Sequence, residues 1–258
     1  VIKIGIQLAS LGLPLKRALQ TAARLGATGV ELDARRDIRP HELTGTARRQ
    51  LRKMLDDLQL SVTAVRFPTR RGYNVTEDLD RRVAGTKEAM SLAYALGTNV
   101  LVNAIGRIPE DPESPSWSLM VNVLEDIGRH GQHCGAMLAA ETGSESPETM
   151  LRLIKGLPDG FLGVNFDPGN LIVNGYSASE AAQLLGPYVR HVHAKDGVQD
   201  LAQGRGVEVQ LGRGSVDFEE LIATFDQYNY RGYYTIECGA RENAVEAVGA
   251  AVQYLRRL

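Results

Sequence analysis

The sequence predicts a closed parallel (β/α)8 barrel, a single α/β TIM-barrel domain over residues 1–258, and three observations carry that prediction. Eight short apolar runs, bounded by Gly, Pro or charged residues, have the β-branched character of strands buried on both faces. Longer segments of helical periodicity lie between them, which requires parallel pairing through right-handed crossovers. Eight such units in roughly 250 residues match a closed barrel. An open doubly wound sheet would call for G-x-G-x-x-G after its first strand, and Leu8-Ala9-Ser10-Leu11-Gly12 does not supply it.

In order, the strands are read at Ile2–Leu8, Gly29–Leu32, Ser61–Phe67, Asn99–Ala104, Ala136–Glu141, Phe161–Asp167, Val189–Ala194 and Tyr233–Cys238. Helices are predicted at Leu15–Leu25, His41–Leu58, Asp78–Leu96, Ser118–His133 and Phe218–Tyr228 from the recurrence of apolar residues every three to four positions. Ser177-Ala178-Ser179-Glu180 is a capping box that opens a further helix, and Ser146-Pro147 places proline at a first helical position. Gly26, Gly97, Gly186 and Gly232 fall where helices should stop. Glu110–Pro115 and the glycine-rich stretch Val198–Gly214 are read as loops on the active face of the barrel.

Charge and cysteine content narrow the function classes. With 29 basic and 31 acidic side chains the formal net charge is −2, which provides no field to recruit nucleic acid or an anionic membrane. The opening Val1-Ile2-Lys3-Ile4-Gly5-Ile6 lacks the charged and long apolar regions of a secretory signal. No apolar run approaches the ~20 residues that span a bilayer. Cys134 and Cys238 are too few for a disulfide framework. The expectation is a cytoplasmic protein with a small-molecule partner and neither a nucleic-acid nor a membrane partner; homo-oligomerisation is compatible with the sequence.

Four consecutive strands end in a side chain able to bind metal: Glu141 in Ala-Glu-Thr-Gly, Asp167 in Phe-Asp-Pro-Gly, His193 in His-Val-His-Ala-Lys-Asp and Glu237 in Ile-Glu-Cys-Gly. Singly, each has an ordinary reading as a helix cap, a turn former or a satisfied core residue. In a barrel all four strand ends point to one mouth, and burying unpaired charges there would cost several kcal/mol each. One divalent cation would compensate them, and a mixed oxygen and nitrogen set suits Mn²⁺, Mg²⁺, Co²⁺ or Zn²⁺. His191 competes with His193, since residues two apart share a face; His193 is preferred as nearer the strand end. Arg66 and Asn103 end the third and fourth strands, where they could bind substrate oxygens, and Lys195 follows the seventh. Glu31 could reach the mouth or pair with Arg35 or Arg36, and is not counted in the site.

These segments, together with Leu211-Gly212-x-Gly214-x-Val216-Asp217-Phe218, resemble the xylose isomerase-like superfamily of sugar isomerases and epimerases, which also includes inosose dehydratase and endonuclease IV. The resemblance implies a TIM barrel with one metal ion on Glu141, Asp167, His193 and Glu237, and a ketose chelated through its carbonyl and hydroxyl oxygens. It also implies that Glu141 and Glu237 are catalytic, moving a proton on opposite faces of the substrate. Ketose epimerases of this group carry His three residues after the Asp ligand; here that place is Asn170, a candidate substrate contact. The expected activity is a metal-dependent sugar isomerase or epimerase working through an enediolate. A lyase or dehydratase on a keto-sugar or inosose is the alternative. A nuclease and a non-catalytic sugar-binding barrel stand behind both.

Overall fold

The computed structural model describes residues 2–200, 205–239 and 242–258. Seven strands follow one another as β1 (Lys3–Gln7), β2 (Gly29–Asp33), β3 (Ser61–Arg66), β4 (Val100–Asn103), β5 (Met137–Glu141), β6 (Leu162–Phe166) and β7 (Val189–Ala194). A hairpin of β8 (Asp196–Asp200) and β9 (Arg205–Val209) precedes the last barrel strand, β10 (Tyr233–Ile236). The barrel closes in the order β1-β10-β7-β6-β5-β4-β3-β2, with every described pair parallel. All eight barrel strands lie where the apolar runs predicted them, shorter by a residue or two at most ends, because ladder hydrogen bonds stop before the apolar pattern does.

The connecting helices are α1 (Leu15–Leu25), α2 (Gly45–Asp57), α3 (Leu79–Ala95), α4 (Pro115–Cys134), α5 (Pro147–Lys155), α6 (Pro168–Val173), α7 (Ala178–Leu185), α8 (Phe218–Gln227) and α9 (Ala244–Leu255). Each turns an apolar stripe onto the barrel, so one continuous core runs from Ile6 and Leu101 on the outer face of the strands to Leu19, Leu124, Leu153 and Phe225, while Ala64, Val100, Val102 and Ala139 form a separate small cluster. Ser146 and Ser177 cap α5 and α7 as predicted, their hydroxyls accepting from Thr149 N and Glu180 N. Gly26 ends α1 in the left-handed conformation. Gly232 does not stop a helix: α8 ends at Gln227, and Asn229, at φ 58°, makes the left-handed turn instead. Among the described residues no helix is long and apolar enough to cross a membrane.

The glycine-rich stretch after β7 is not an open loop. Val207-Glu208-Val209 alternates in the manner of a strand and pairs antiparallel with Asp196–Val198. Gly206 lets this hairpin press on α6; a Cβ there would stand 2.5 Å from the Val173 Cα. The buried Asp196 carboxylate accepts from the backbone N–H groups of Gly197, Gly212, Gly214 and Val216, tying the segment after β9 to the base of the hairpin. The hairpin thereby holds Glu208 over the end of β7, where one Glu208 oxygen lies 3.9 Å from Lys195 Nζ.

Candidate metal centre

Strands β5, β6, β7 and β10 are neighbours, so their carboxyl ends converge. Glu141 closes β5, Asp167 follows β6 as the cap of α6, His193 lies one residue before the end of β7, and Glu237 follows β10. One ligand atom from each of the four lies within 4.8 Å of every other. The residues read from the sequence as ligands are therefore brought together in full, with His193 rather than His191 as their imidazole.

Local chemistry orients the carboxylates. Asp167 Oδ1 accepts from Asn170 N at 2.8 Å, and Asp167 N donates to Thr142 Oγ1 at 2.9 Å. Gly143, at φ 124°, lets the chain after β5 touch α6; a Cβ there would stand 2.4 Å from the Asn170 Cβ. Asp167 Oδ2 is buried without a hydrogen-bond partner among the described residues, 3.6 Å from Lys195 Nζ and 3.9 Å from His193 Nδ1. Burial drives this carboxyl up to about 7, with the charges of Glu237 and Glu141 adding to the push and Lys195 opposing it. An orphaned carboxylate oxygen facing two further acids and an imidazole is an arrangement that a divalent cation satisfies.

His193 is wholly buried, with Nε2 2.8 Å from Glu31 Oε2. A carboxylate can only accept, so Nε2 carries a hydrogen and Nδ1 is turned to the centre. That nitrogen stands 3.1 Å from Glu237 Oε2, 3.7 Å from Glu141 Oε1 and 3.0 Å from the Asn165 amide. Burial works to strip the imidazole of its second proton, but the charges of Glu31 and Glu237 prevail and hold it well above the usual range. Burial likewise opposes the charged form of Glu237, and His193 overrides it, so this carboxyl lies well below its ordinary value. Lys195 Nζ is 3.4 Å from Glu237 Oε2 and remains charged: burial works against the ammonium, and Asp167 and Glu237 outweigh it. In the metal-free protein, His193 and Lys195 are thus the counter-charges of the acids.

Glu31 is the residue that sequence reasoning passed over. It does not pair with Arg35 or Arg36; fully buried, it accepts from Gln7 Nε2 at 2.8 Å through one oxygen and from His193 through the other. Its local signal is weak: an acid between Val30 and Leu32, with Asp33 two residues on in the same strand and Gln7 opposite it in the neighbouring one. Glu31, His191 and His193 also lie close enough to share an ion. Hydrogen bonds already engage that trio, since His191 Nδ1 meets Asn165 Oδ1 at 2.9 Å and its Nε2 meets Thr235 Oγ1 at 2.9 Å. Burial takes His191 down to about 3, so it is neutral.

The remaining candidates divide. Asn170 Nδ2 donates to Glu141 Oε1 at 3.2 Å, and Lys195 stands among the carboxylates. Arg66 pairs with Asp33 at 3.6 Å; burial would lower it, but Glu141, Glu31 and Glu237 raise it, which puts the guanidinium within the field of the centre. Asn103 is buried, its amide donating to the Phe67 carbonyl and accepting from Thr69. Its polar atoms are engaged by the segment after β3.

A family model described as a xylose isomerase-like TIM barrel matches residues 19–258. Among curated relatives, the uncharacterised protein MJ1311 of Methanocaldococcus jannaschii is 27% identical over 184 residues, 66% of this chain but only 60% of that protein. An inosose dehydratase of Clostridium botulinum is 23% identical over 220 residues, 72% of each chain. A xylose isomerase domain protein from Planctomyces limnophilus superposes with a TM-score of 0.84 at 28% identity, over 99% of this chain and 95% of its own. A xylose isomerase-like TIM-barrel protein from Mycobacterium smegmatis, solved in complex with magnesium, superposes with a TM-score of 0.77 at 18% identity, over 99% and 95%.

Proposed function

Because the chain belongs to the xylose isomerase-like TIM-barrel family, we propose that it is a metal-dependent sugar isomerase or epimerase, abstracting a proton alpha to the carbonyl of a small ketose, inosose or hydroxyketo acid. The observation that carries this reading is the convergence of Glu141, Asp167, His193 and Glu237 around the partnerless Asp167 Oδ2. These four would hold one divalent ion, Mn²⁺ or Mg²⁺ by the preponderance of carboxylate oxygen. Bound there, the ion would act as a Lewis acid that stabilises negative charge developing on a substrate oxygen.

The chain's own residues account for the rest. Glu141 and Glu237 are about a tenth exposed, whereas Asp167 and His193 are not exposed at all, so the two glutamates are the carboxylates a substrate can touch. Placed on either side of a carbon, one removes the proton and the other returns it. Lys195 and Asn170, which already contact Glu237 and Glu141, would hold substrate oxygens beside them, and Arg66 would take a more distant oxygen. Glu31 keeps the hydrogen of His193 on Nε2 and so leaves Nδ1 for the ion.

A dehydratase is the second reading, and Asn170 favours it. Where ketose epimerases of this family carry His, an amide here hydrogen-bonds Glu141, so the surroundings of that glutamate depart from the epimerase pattern. The likeness to the Clostridium botulinum inosose dehydratase points the same way. Both readings share the first proton abstraction. Incubating the metal-loaded protein in deuterium oxide with a panel of ketoses and inososes should place deuterium alpha to the carbonyl of one of them. Deuterium in an isomeric sugar marks the isomerase; an enone or diketone formed with loss of water marks the dehydratase. With metal bound, absence of both deuterium exchange and a dehydrated product for every sugar would overturn both.

A further inference from the structure

Outside the metal centre, a cavity of about 990 Å³ lies between the segment after β2 and the first half of α3. Its wall carries Arg35, Arg39, Arg70, Arg71, Arg81 and Arg82 against two carboxylates, Asp78 and Glu88. In a chain whose acids outnumber its bases, that local excess is specific to this place. Guanidiniums are always charged, and gathering several in one wall is unfavourable unless an anion offsets their repulsion.

The acids in the wall do not offset it. Among the described residues, neither Asp78 nor Glu88 approaches any of these arginines within ion-pair distance, and the pairs that exist are made with Glu42 and Glu77, which do not line the cavity. Arg35, Arg70 and Arg81 have no ion pair there. Arg35 is held over the Phe67 ring at 4.3 Å, a platform that fixes the guanidinium without neutralising it. Arg82 is 7% exposed; its terminal nitrogens donate to the carbonyls of Gly72, Val75 and Glu77, while its buried Nε has no partner among the described residues. The lining therefore combines an arginine that keeps a buried, unused donor with arginines that have no ion pair among the described residues.

We propose that this cavity binds a compact oxyanion, the phosphate or carboxylate group of a small molecule, at a site separate from the metal centre. Guanidinium forks match the two oxygens of such groups bidentately, and several of them define a pocket rather than a diffuse field. Its inner wall, Ala34 and Phe67, comes immediately after Asp33 and Arg66, so the site borders the barrel mouth on the β2–β3 side.

The test is calorimetric titration of the full-length, chelator-treated protein with inorganic phosphate and with glucose 6-phosphate. Binding is expected with a dissociation constant at or below about 1 mM. The exposed triple change Arg35→Ala, Arg70→Ala, Arg81→Ala should weaken it by about tenfold or more, since it removes charge-assisted donors from the wall. His193→Ala should leave it unchanged. No binding, binding that survives the triple change in a folded protein, or loss in His193→Ala would each overturn the proposal. So would binding of single-stranded DNA or polyglutamate where phosphate does not bind. If phosphate competes with the enzyme's substrate, the anion is the substrate's own tail; if it alters rate without competing, the anion is a separate ligand.

Discussion

The barrel interior holds two polar layers two residues apart along the same strands, and they behave oppositely. In the upper layer, at the mouth, His193, Asp167 and Glu237 carry or await charge. One step below, His191 is neutral and shares hydrogen bonds with Asn165 and Thr235, with Thr63 beside it. Both histidines are buried, face the same side of β7 and lie edge to face at 5.2 Å. The difference is in the company: carboxylates stand at both nitrogens of the upper ring, whereas the lower ring hydrogen-bonds hydroxyls and an amide and has one carboxylate, Glu31, at 3.8 Å. One acid at that distance does not overcome burial; acids in contact with both nitrogens do, and yield a histidine whose proton a metal can displace.

The comparison breaks most severely at Asp167. Asp167→Asn keeps the cap oxygen for Asn170 N but removes the orphaned charge. Metal affinity, read by calorimetry with Mn²⁺, should fall by more than the ~10–100-fold that residues behind a ligand are worth. The metal-free variant should nevertheless melt at or above the wild-type temperature. A carboxyl raised to about 7 favours the folded state only when protonated, so its ionised form opposes folding above that pH. Undiminished metal binding would remove Asp167 from the centre.

Glu31→Gln comes next. The amide oxygen can still accept from His193 Nε2, but the charge that opposes burial of the ring is gone. Metal affinity should drop about 10–100-fold. Wild-type protein should release close to one more proton on metal binding than the variant, measured as the buffer dependence of the binding heat.

These two residues also show how much of the centre is legible in the sequence. Asp167 was legible because it stands with three similar residues at the ends of successive strands, and strand ends of a parallel barrel share one mouth. Glu31 was not, because its partner His193 is 162 residues away and the nearby arginines offered a local partner. The barrel itself was legible from apolar runs, whose burial is a property of composition. The β8–β9 hairpin was hidden by its glycines: Gly206 and Gly214, which suggest an open loop, are there because α6 and the Asp196 carboxylate come too close for a side chain. Asn103 was placed at the correct strand end, yet neither its burial nor the use of its amide by Phe67 and Thr69 can be read from position alone.

The smallest effect is expected in the lower layer, and it separates the two histidines by pH. His191 has a folded value near 3 against an ordinary 6.5, so between those values the unfolded chain binds a proton that the folded chain refuses. Stability from this residue is full above pH 6.5 and declines toward pH 3, by up to about 1.4 kcal/mol per unit. Asp167 works in the opposite direction between 3.8 and about 7 in the metal-free protein, because there the folded chain binds the extra proton. His193, raised rather than lowered, keeps its proton in the folded state, so it adds no slope well below pH 6.5 and works in the same direction as Asp167 above it, where the unfolded chain has lost that proton. The two opposing slopes mask each other in the wild type, and His191→Gln should unmask that of Asp167. Urea unfolding at pH 7 and pH 5 should find the variant less stable at pH 7 by roughly 1–3 kcal/mol for its lost hydrogen bonds. That deficit should shrink at pH 5, with Mn²⁺ affinity altered less than by Glu31→Gln. A deficit independent of pH would mean that His191 takes a proton in the folded state and that the two layers are not distinct.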